Sequence, residues 1–153
     1  MRDGIYRKSV GVFVWDKDVF LVLLRKKDRY WGIPGGKVDV GESAPEAVIR
    51  ELWEETGIVA RLDQLHRLRT HRIDLGHEGL WEYVSFAVNL PATPTVTLNP
   101  DEHTDFVWVT PGSLLRYKAK GKPIFPGLIQ VMGDVGCLRL SQVECGVKIQ
   151  LIS

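Results

Sequence analysis

The stretch GGKVDVGESAPEAVIRELWEETGI, Gly35 to Ile58, decides how this 153-residue chain is read. It holds six acidic side chains, and three of them, Glu51, Glu54 and Glu55, crowd together behind a glycine-rich turn. Ser43 and Glu46 have the spacing of a capping box, in which each side chain bonds the other residue's backbone N–H. Pro45 stands in the first turn, where its missing N–H costs little. Gly57 is placed to close the helix in a left-handed conformation. The pattern predicts a helix from about Ala44 to Thr56.

At about 100° per residue, with Glu51 as origin, Glu55 falls at about 40° and Glu54 at about −60°. The three carboxylates share one arc. Leu52, Ile49, Thr56 and Pro45 lie at roughly 100° to 160°, with Trp53 at about 200°, and form the stripe expected to face the core. Arg50 and Glu46, four apart, can pair. A solvated acidic face is the simplest account of such a helix, but two features weigh against it. Glu51 and Glu55 repel across one turn, and Glu54 and Glu55 sit in the last turn, where the helix dipole disfavours anions. A bound divalent cation would offset both costs, and carboxylates are the ligands that Mg²⁺ or Mn²⁺ prefers.

Outward from this helix the chain alternates strands and turns. Ser9 to Trp15 is β-branched and apolar and reads as a buried strand. A turn at Asp16 to Asp18 leads into a second, antiparallel strand, VFLVLLRKK. DRYWGIPGG reads as loop. Strands resume at Leu65 to Ile73, Leu80 to Leu90 and Asp105 to Val109. TPGSLLRYK begins a short helix, FPGLIQVMGDV reads as an amphipathic helix, and the tail from Cys137 reads as a hairpin. Mixed strands and helices without βαβ regularity point to an α/β (α+β-like) chain with a mixed sheet between helices. The length fits one domain, residues 1–153.

Lys and Arg number 20 against 19 Asp and Glu, so no global basic field argues for duplex DNA or an anionic membrane. No apolar run approaches a membrane span, and MRDGIYRKSV lacks a signal-peptide core. Cys137 and Cys145 read as small hydrophobes in a reducing compartment, which makes the cytoplasm the expected location. There is no P-loop and no dinucleotide-binding glycine fingerprint.

Gly36, five residues, Glu42, seven residues and RELWEETGI together resemble the Nudix box, G-x5-E-x7-R-E-U-x-E-E-x-G-U, at every position, with Leu52 and Ile58 as the aliphatic residues. Seven such fixed positions coincide by chance at roughly 10⁻⁸ per window. The resemblance implies an α/β/α sandwich around a mixed sheet. It also implies a hydrolase of nucleoside diphosphates linked to another group, dependent on Mg²⁺ or Mn²⁺. By position it implies that Glu51, Glu54 and Glu55 ligate metal with the Gly35 carbonyl. Glu42 would hold the loop or share a metal, and Arg50 would orient the glutamates through a salt bridge. Gly36 and Gly57 would supply backbone freedom. NPDEHTDFVWV resembles the family's segment that carries a further acidic residue, so Glu102 is the candidate for last ligand or general base, a role open also to Glu51 and Glu54. A homodimer is the family expectation.

For the substrate, Arg25 sits in a basic run before the glycine loop. Strict alternation along RLRTHRI sends Arg67, Arg69 and His71 to one face, as candidate phosphate contacts. Trp31, Trp81 and Tyr83 are candidates to stack a base; Trp15, Trp53 and Trp108 read as core. Gly35 stands after Pro34 where the dinucleoside-polyphosphate and RNA 5′-end hydrolases of the family often have Lys or Gln. The first expectation is therefore a nucleoside triphosphate or its oxidised form. ADP-ribose, a dinucleoside polyphosphate, or a non-catalytic nucleotide-sensing role are the alternatives.

Overall fold

A computed structural model of the chain describes residues 7–134, apart from 75, 120, 126 and 129. Its centre is β1, Arg7–Asp16, in which every residue from Val10 to Trp15 is buried. A strand without an exposed face needs cover on both sides. A tight turn joins β1 to antiparallel β2, Val19–Arg25, but the two strands pair only at Trp15↔Phe20 and Asp16↔Val19 before they diverge. Two short strands fill the wedge between them. β3, Trp31–Gly32, pairs with β2, and β4, Gly35–Lys37, pairs with β1. The segment expected to be loop is thus strand, because the splayed hairpin offers it unpaired backbone that must be satisfied.

β5 is Leu65–Asp74, β6 is Leu80–Asn89 and β7 is His103–Val109. β6 runs parallel to β1 through nine register pairs, β5 is antiparallel to β6, and β7 is antiparallel to β2. The result is a seven-stranded mixed sheet. On one face Val10, Val12, Val14, Leu21, Leu23, Val84 and Phe86 pack under Ala47, Val48 and Leu52 of α1, Ala44–Thr56. On the other, Phe13, Trp15, Phe20, Val22 and Ala87 pack against Leu114 of α2, Pro111–Ala119, and against Leu128 and Val131 from the helical residues 127–128 and 130–134. This is the expected sandwich of helices about a mixed sheet. Each buried Val, Leu or Phe contributes about 1.5–3 kcal/mol, so both layers are firmly held.

The ends of α1 are as the sequence predicts. Ser43 Oγ accepts from the Glu46 N–H at 3.2 Å, and Glu46 Oε1 accepts from the Ser43 N–H at 2.9 Å. Gly57, at φ 74°, closes the helix with its N–H on the Trp53 carbonyl at 2.8 Å. The buried face differs from the expected stripe. It comprises Ala47, Val48, Leu52, Glu55 and Thr56, so it overlaps the acidic arc. Trp53, expected in the core, is 59% exposed. The helix is rolled so that carboxylates, not the indole, turn toward the sheet.

β5 also departs from expectation. A bulge between Arg67 and Arg69 breaks the alternation. Arg67 is opposite Phe86, on the α1 side, whereas Arg69 and His71 are opposite Ser85 and Tyr83, on the α2 side. One inserted residue reverses the facing of everything before it. The tail hairpin, with Cys137 and Cys145, lies outside the described residues. No helix among the described residues is long and apolar enough to cross a membrane.

Candidate active site

The site is built where α1 crosses β4. Gly35 and Gly36 allow an approach that no side chain permits. A Cβ on Gly35 would stand 2.1 Å from the Val10 carbonyl oxygen, and one on Gly36 would stand 1.9 Å from Glu51 Oε2. Neither glycine has a positive φ, so the requirement is space rather than dihedral freedom; at Gly57 it is the reverse. Into this gap α1 lowers Glu55, which is 4% exposed and whose Oε1 accepts from the Gly35 N–H at 2.9 Å.

Arg50 ties the surrounding acids together. Its Nε and Nη2 donate to the two oxygens of Glu42 at 2.7 and 2.9 Å. Its Nη1 donates to Glu51 Oε1 and Glu54 Oε1, each at 3.0 Å, and Nη2 also donates to the Lys37 carbonyl at 3.0 Å. One planar fork thus fixes the loop to the helix, a use for which lysine lacks the geometry. Glu46, the expected partner of Arg50, is instead occupied by the capping box.

These contacts divide the acids into two kinds. The Arg50 bonds, aided by the Asp39 N–H, hold the Glu42 pKa down at about 2. Burial pushes Glu51 up to about 7, against the pull of Arg50 and with a further push from Glu54. Burial pushes Glu55 up to about 9; the Gly35 N–H opposes this, and the charges of Glu51, Glu102 and Glu54 reinforce it. Glu51 and Glu55 are thus carboxylates taken out of water with too few donors, the arrangement a hard divalent cation relieves.

The loop over residues 91–102 delivers Glu102 to this field. The Thr97 and Asn99 N–H groups bond the Thr56 and Glu55 carbonyls at 2.8 and 3.3 Å, and the Glu102 carbonyl accepts from the Lys26 N–H at 2.8 Å. Asn99 Nδ2 donates to Glu102 Oε2 at 3.2 Å. The acids share a neighbourhood rather than one point: among the described residues no three acidic, histidine or cysteine side chains are gathered tightly enough to grip one ion. Arg50 draws Glu51 and Glu54 its own way, and Glu54 remains 42% exposed. The donor chemistry, carboxylate oxygens around the buried Glu55, nonetheless fits a hard divalent cation such as Mg²⁺ or Mn²⁺.

Of the candidate substrate contacts, Arg25, Arg67, Arg69 and Trp31 are not brought together. Arg25 pairs with Asp28 at 2.9 Å and lies over the Phe125 ring at 4.9 Å. Arg67 Nη2 donates to Thr70 Oγ1 at 3.3 Å. Arg69 is largely exposed and lies 3.8 Å from Asp134. Trp31 packs against the α2-side core. None of these contacts reaches Glu51, Glu54 or Glu55.

Sequence reasoning missed a second buried carboxylate. Asp134, on the α2 side, accepts at Oδ2 from Ser85 Oγ and is bonded to His71 Nε2, each at 2.7 Å. Tyr83 lies beside it, its pKa raised by burial and by the Asp134 charge. Tyr83 fits there because Gly11 has no side chain; a Cβ on Gly11 would meet the phenol oxygen at 1.8 Å. A polar Ser85 in an apolar strand was the available signal, but its partner is 49 residues away.

A family model for the NUDIX domain matches residues 5–128. Over 59 residues, 38% of this chain and 40% of the relative, the sequence is 44% identical to a putative 8-oxo-dGTP diphosphatase of Bacillus subtilis. Over 135 residues, 75% of this chain and 82% of the relative, it is 30% identical to the RNA pyrophosphohydrolase of Erythrobacter litoralis. Among solved structures, the MutT protein of Methanosarcina mazei superposes with a TM-score of 0.68 at 26% identity, covering 92% of this chain and 96% of that one.

Proposed function

Given that the chain belongs to the NUDIX domain family and is a hydrolase acting on pyrophosphate bonds, we propose that it cleaves nucleoside 5′-triphosphates, oxidised ones included, with the help of Mg²⁺ or Mn²⁺. The observation that carries this reading is the buried Glu55 with the half-buried Glu51 beside it, both raised in pKa where Gly35 and Gly36 leave room for them. Glu54 and Glu55 would hold the cation with the Gly35 carbonyl, and Glu102 would be the last ligand. When bound, divalent cations neutralise pyrophosphate charge and lower the pKa of water.

The rest of the work falls to this chain's residues. Arg50, anchored on Glu42, sets where Glu51 and Glu54 stand. Glu51, partly exposed and with its pKa raised by burial to about 7, would take the proton of the attacking water. The new phosphorus–oxygen bond forms as the bridging phosphorus–oxygen bond breaks, and the bridge oxygen leaves on the departing phosphate group. The site would operate in the cytoplasm on a small nucleotide.

One observation favours a second substrate, the 5′-triphosphate end of RNA. The match to the Erythrobacter RNA pyrophosphohydrolase runs through 135 residues, whereas the 8-oxo-dGTP diphosphatase match is confined to 59. The test is phosphate and pyrophosphate release from a panel: canonical and 8-oxo nucleoside triphosphates, 5′-triphosphorylated RNA, ADP-ribose and a dinucleoside polyphosphate, each with Mg²⁺ or with EDTA. Metal-dependent release from a triphosphate is expected. No metal-dependent release from any of them would leave a nucleotide sensor in place of an enzyme.

A further inference from the structure

The two buried carboxylates, Glu55 and Asp134, lie on opposite faces of the sheet, and β1 runs between the strands they touch. In β1, Gly11 has Gly35 of β4 as its register partner on one side and Ser85 of β6 on the other. Along β1, Val10, Val12 and Val14 point to the α1 side and Phe13 and Trp15 to the α2 side, so a Gly11 side chain would point to the α2 side. The Tyr83 phenol stands in that place. A Gly11 Cβ would be 1.8 Å from its oxygen and 2.8 Å from its Cζ. One strand on, a Gly35 Cβ would be 2.8 Å from the Gly11 Cα. Ring, bare Gly11 and bare Gly35 are thus stacked in series, and the series ends at the Gly35 N–H, which donates to Glu55 at 2.9 Å.

The phenol is poorly placed to yield. It is a rigid ring with few torsions, packed on the α2-side core. The His71 ring lies 6.5 Å from it and is bonded to Asp134 at 2.7 Å. Asp134 also holds Ser85, the strand neighbour of Gly11, at 2.7 Å. We propose that Tyr83 is a positioning residue: backed by His71, it fixes the height of β1 at Gly11, and so the point at which Gly35 offers its N–H to Glu55 and its carbonyl to a divalent cation. Close-packed interiors transmit such displacements, and Mg²⁺ tolerates little departure from ideal geometry. The cation's share in this rests on the hydrolase reading; the link from Tyr83 to the Gly35 N–H does not.

Hydrogen exchange of the full ¹⁵N-labelled chain in EDTA, followed by nuclear magnetic resonance, reads Gly35 without turnover. In Tyr83→Leu the Gly35 amide should exchange faster, and Mn²⁺ binding, followed by electron paramagnetic resonance, should weaken about tenfold, equivalent to about 1.4 kcal/mol. Tyr83→Phe keeps the ring and the fold and should show the same two changes to a smaller degree. Val131→Ala truncates the same core away from Gly11; it should lower stability without singling out the Gly35 amide and without changing Mn²⁺ affinity. Gly11→Ala should weaken Mn²⁺ binding in the wild-type chain and far less in the Tyr83→Leu background, where the ring it strikes is gone. Gly35 exchange and Mn²⁺ affinity that match Val131→Ala in both Tyr83 variants overturn the proposal, as does an equal Gly11→Ala penalty in the two backgrounds. A wild-type chain that releases no phosphate from any nucleotide, while Gly35 still responds to Tyr83→Leu, fails the hydrolase reading and leaves the role of Tyr83 standing. An active chain whose Gly35 ignores Tyr83 does the reverse.

Discussion

The two faces of the sheet each bury a carboxylate, and they treat it in opposite ways. Asp134 receives Ser85 and His71 at 2.7 Å, with Arg69 behind them. Glu55 receives one backbone N–H and is pressed by three other glutamates. A carboxylate that only holds structure is surrounded by donors. One left short of them in a purpose-built gap stores a demand for positive charge, and that demand separates a working acid from a structural one.

The comparison can be broken by exchanging what each acid is asked to do. Glu55→Gln should lower metal-dependent turnover by about a thousandfold, roughly 4 kcal/mol of transition-state stabilisation, while circular dichroism stays native. Asp134→Asn should leave turnover within about tenfold but lower stability in urea by about 2–4 kcal/mol, since it strips a buried hydrogen-bonded pair of its charge. If Asp134→Asn proved the inactive protein and Glu55→Gln the unstable one, the assignment of roles would be reversed.

Acidity sharpens the same contrast. Glu51 and Glu55 hold protons more tightly in the folded chain than at the ordinary 4.5, up to about 7 and about 9. Between those limits the folded state binds more protons than the unfolded one, so metal-free stability falls as pH rises from about 4.5 to 9. Glu42 has the opposite sign: its pKa of about 2 gives stability that is present above 4.5 and lost as pH falls toward 2. Stability read from melts in EDTA should therefore decline by several kcal/mol from about pH 5 to 9, at about 1.4 kcal/mol for each pH unit by which a pKa is displaced, and Glu55→Gln should flatten most of that slope. Mn²⁺ uptake near pH 7 should release protons, measurable by calorimetry in buffers of different ionisation enthalpy. A slope unchanged in Glu55→Gln would mean that the buried acid is not the cause.

The last contrast, which ends on the smallest effect, concerns two of the three tryptophans read as core in the sequence. Trp15→Ala should cost about 3–5 kcal/mol, as a fully buried ring does. Trp53→Ala, at an exposed position, should cost less than about 0.5 kcal/mol.

That pair also shows what was legible. The helix ends, the crowding of acids and the strand run of β1 are local patterns, written within a few residues of one another, and the structure reproduces them. The roll of α1 is not local. It depends on the gap at Gly35 and Gly36, which accepts Glu55 and turns Trp53 outward. The β5 bulge was hidden because one extra residue leaves no mark in an arginine-rich strand. β3 and β4 were hidden because their pairing depends on how far β1 and β2 splay. Most of the acidic cluster lay in one stretch of sequence; the Asp134 network is assembled across separations of 49 and 63 residues.

The bare backbone at Gly36 has one more consequence. Glu51 reaches in against bare main chain at Gly36, so the room left for its carboxylate is set by atoms that every residue shares. Drift in the aliphatic packing beneath the helix can change its comfort without changing that clearance. A single methyl group at Gly36 would fall on the Glu51 carboxylate, the far end of a flexible side chain, so it would push that acid off its station and leave the helix where it stands.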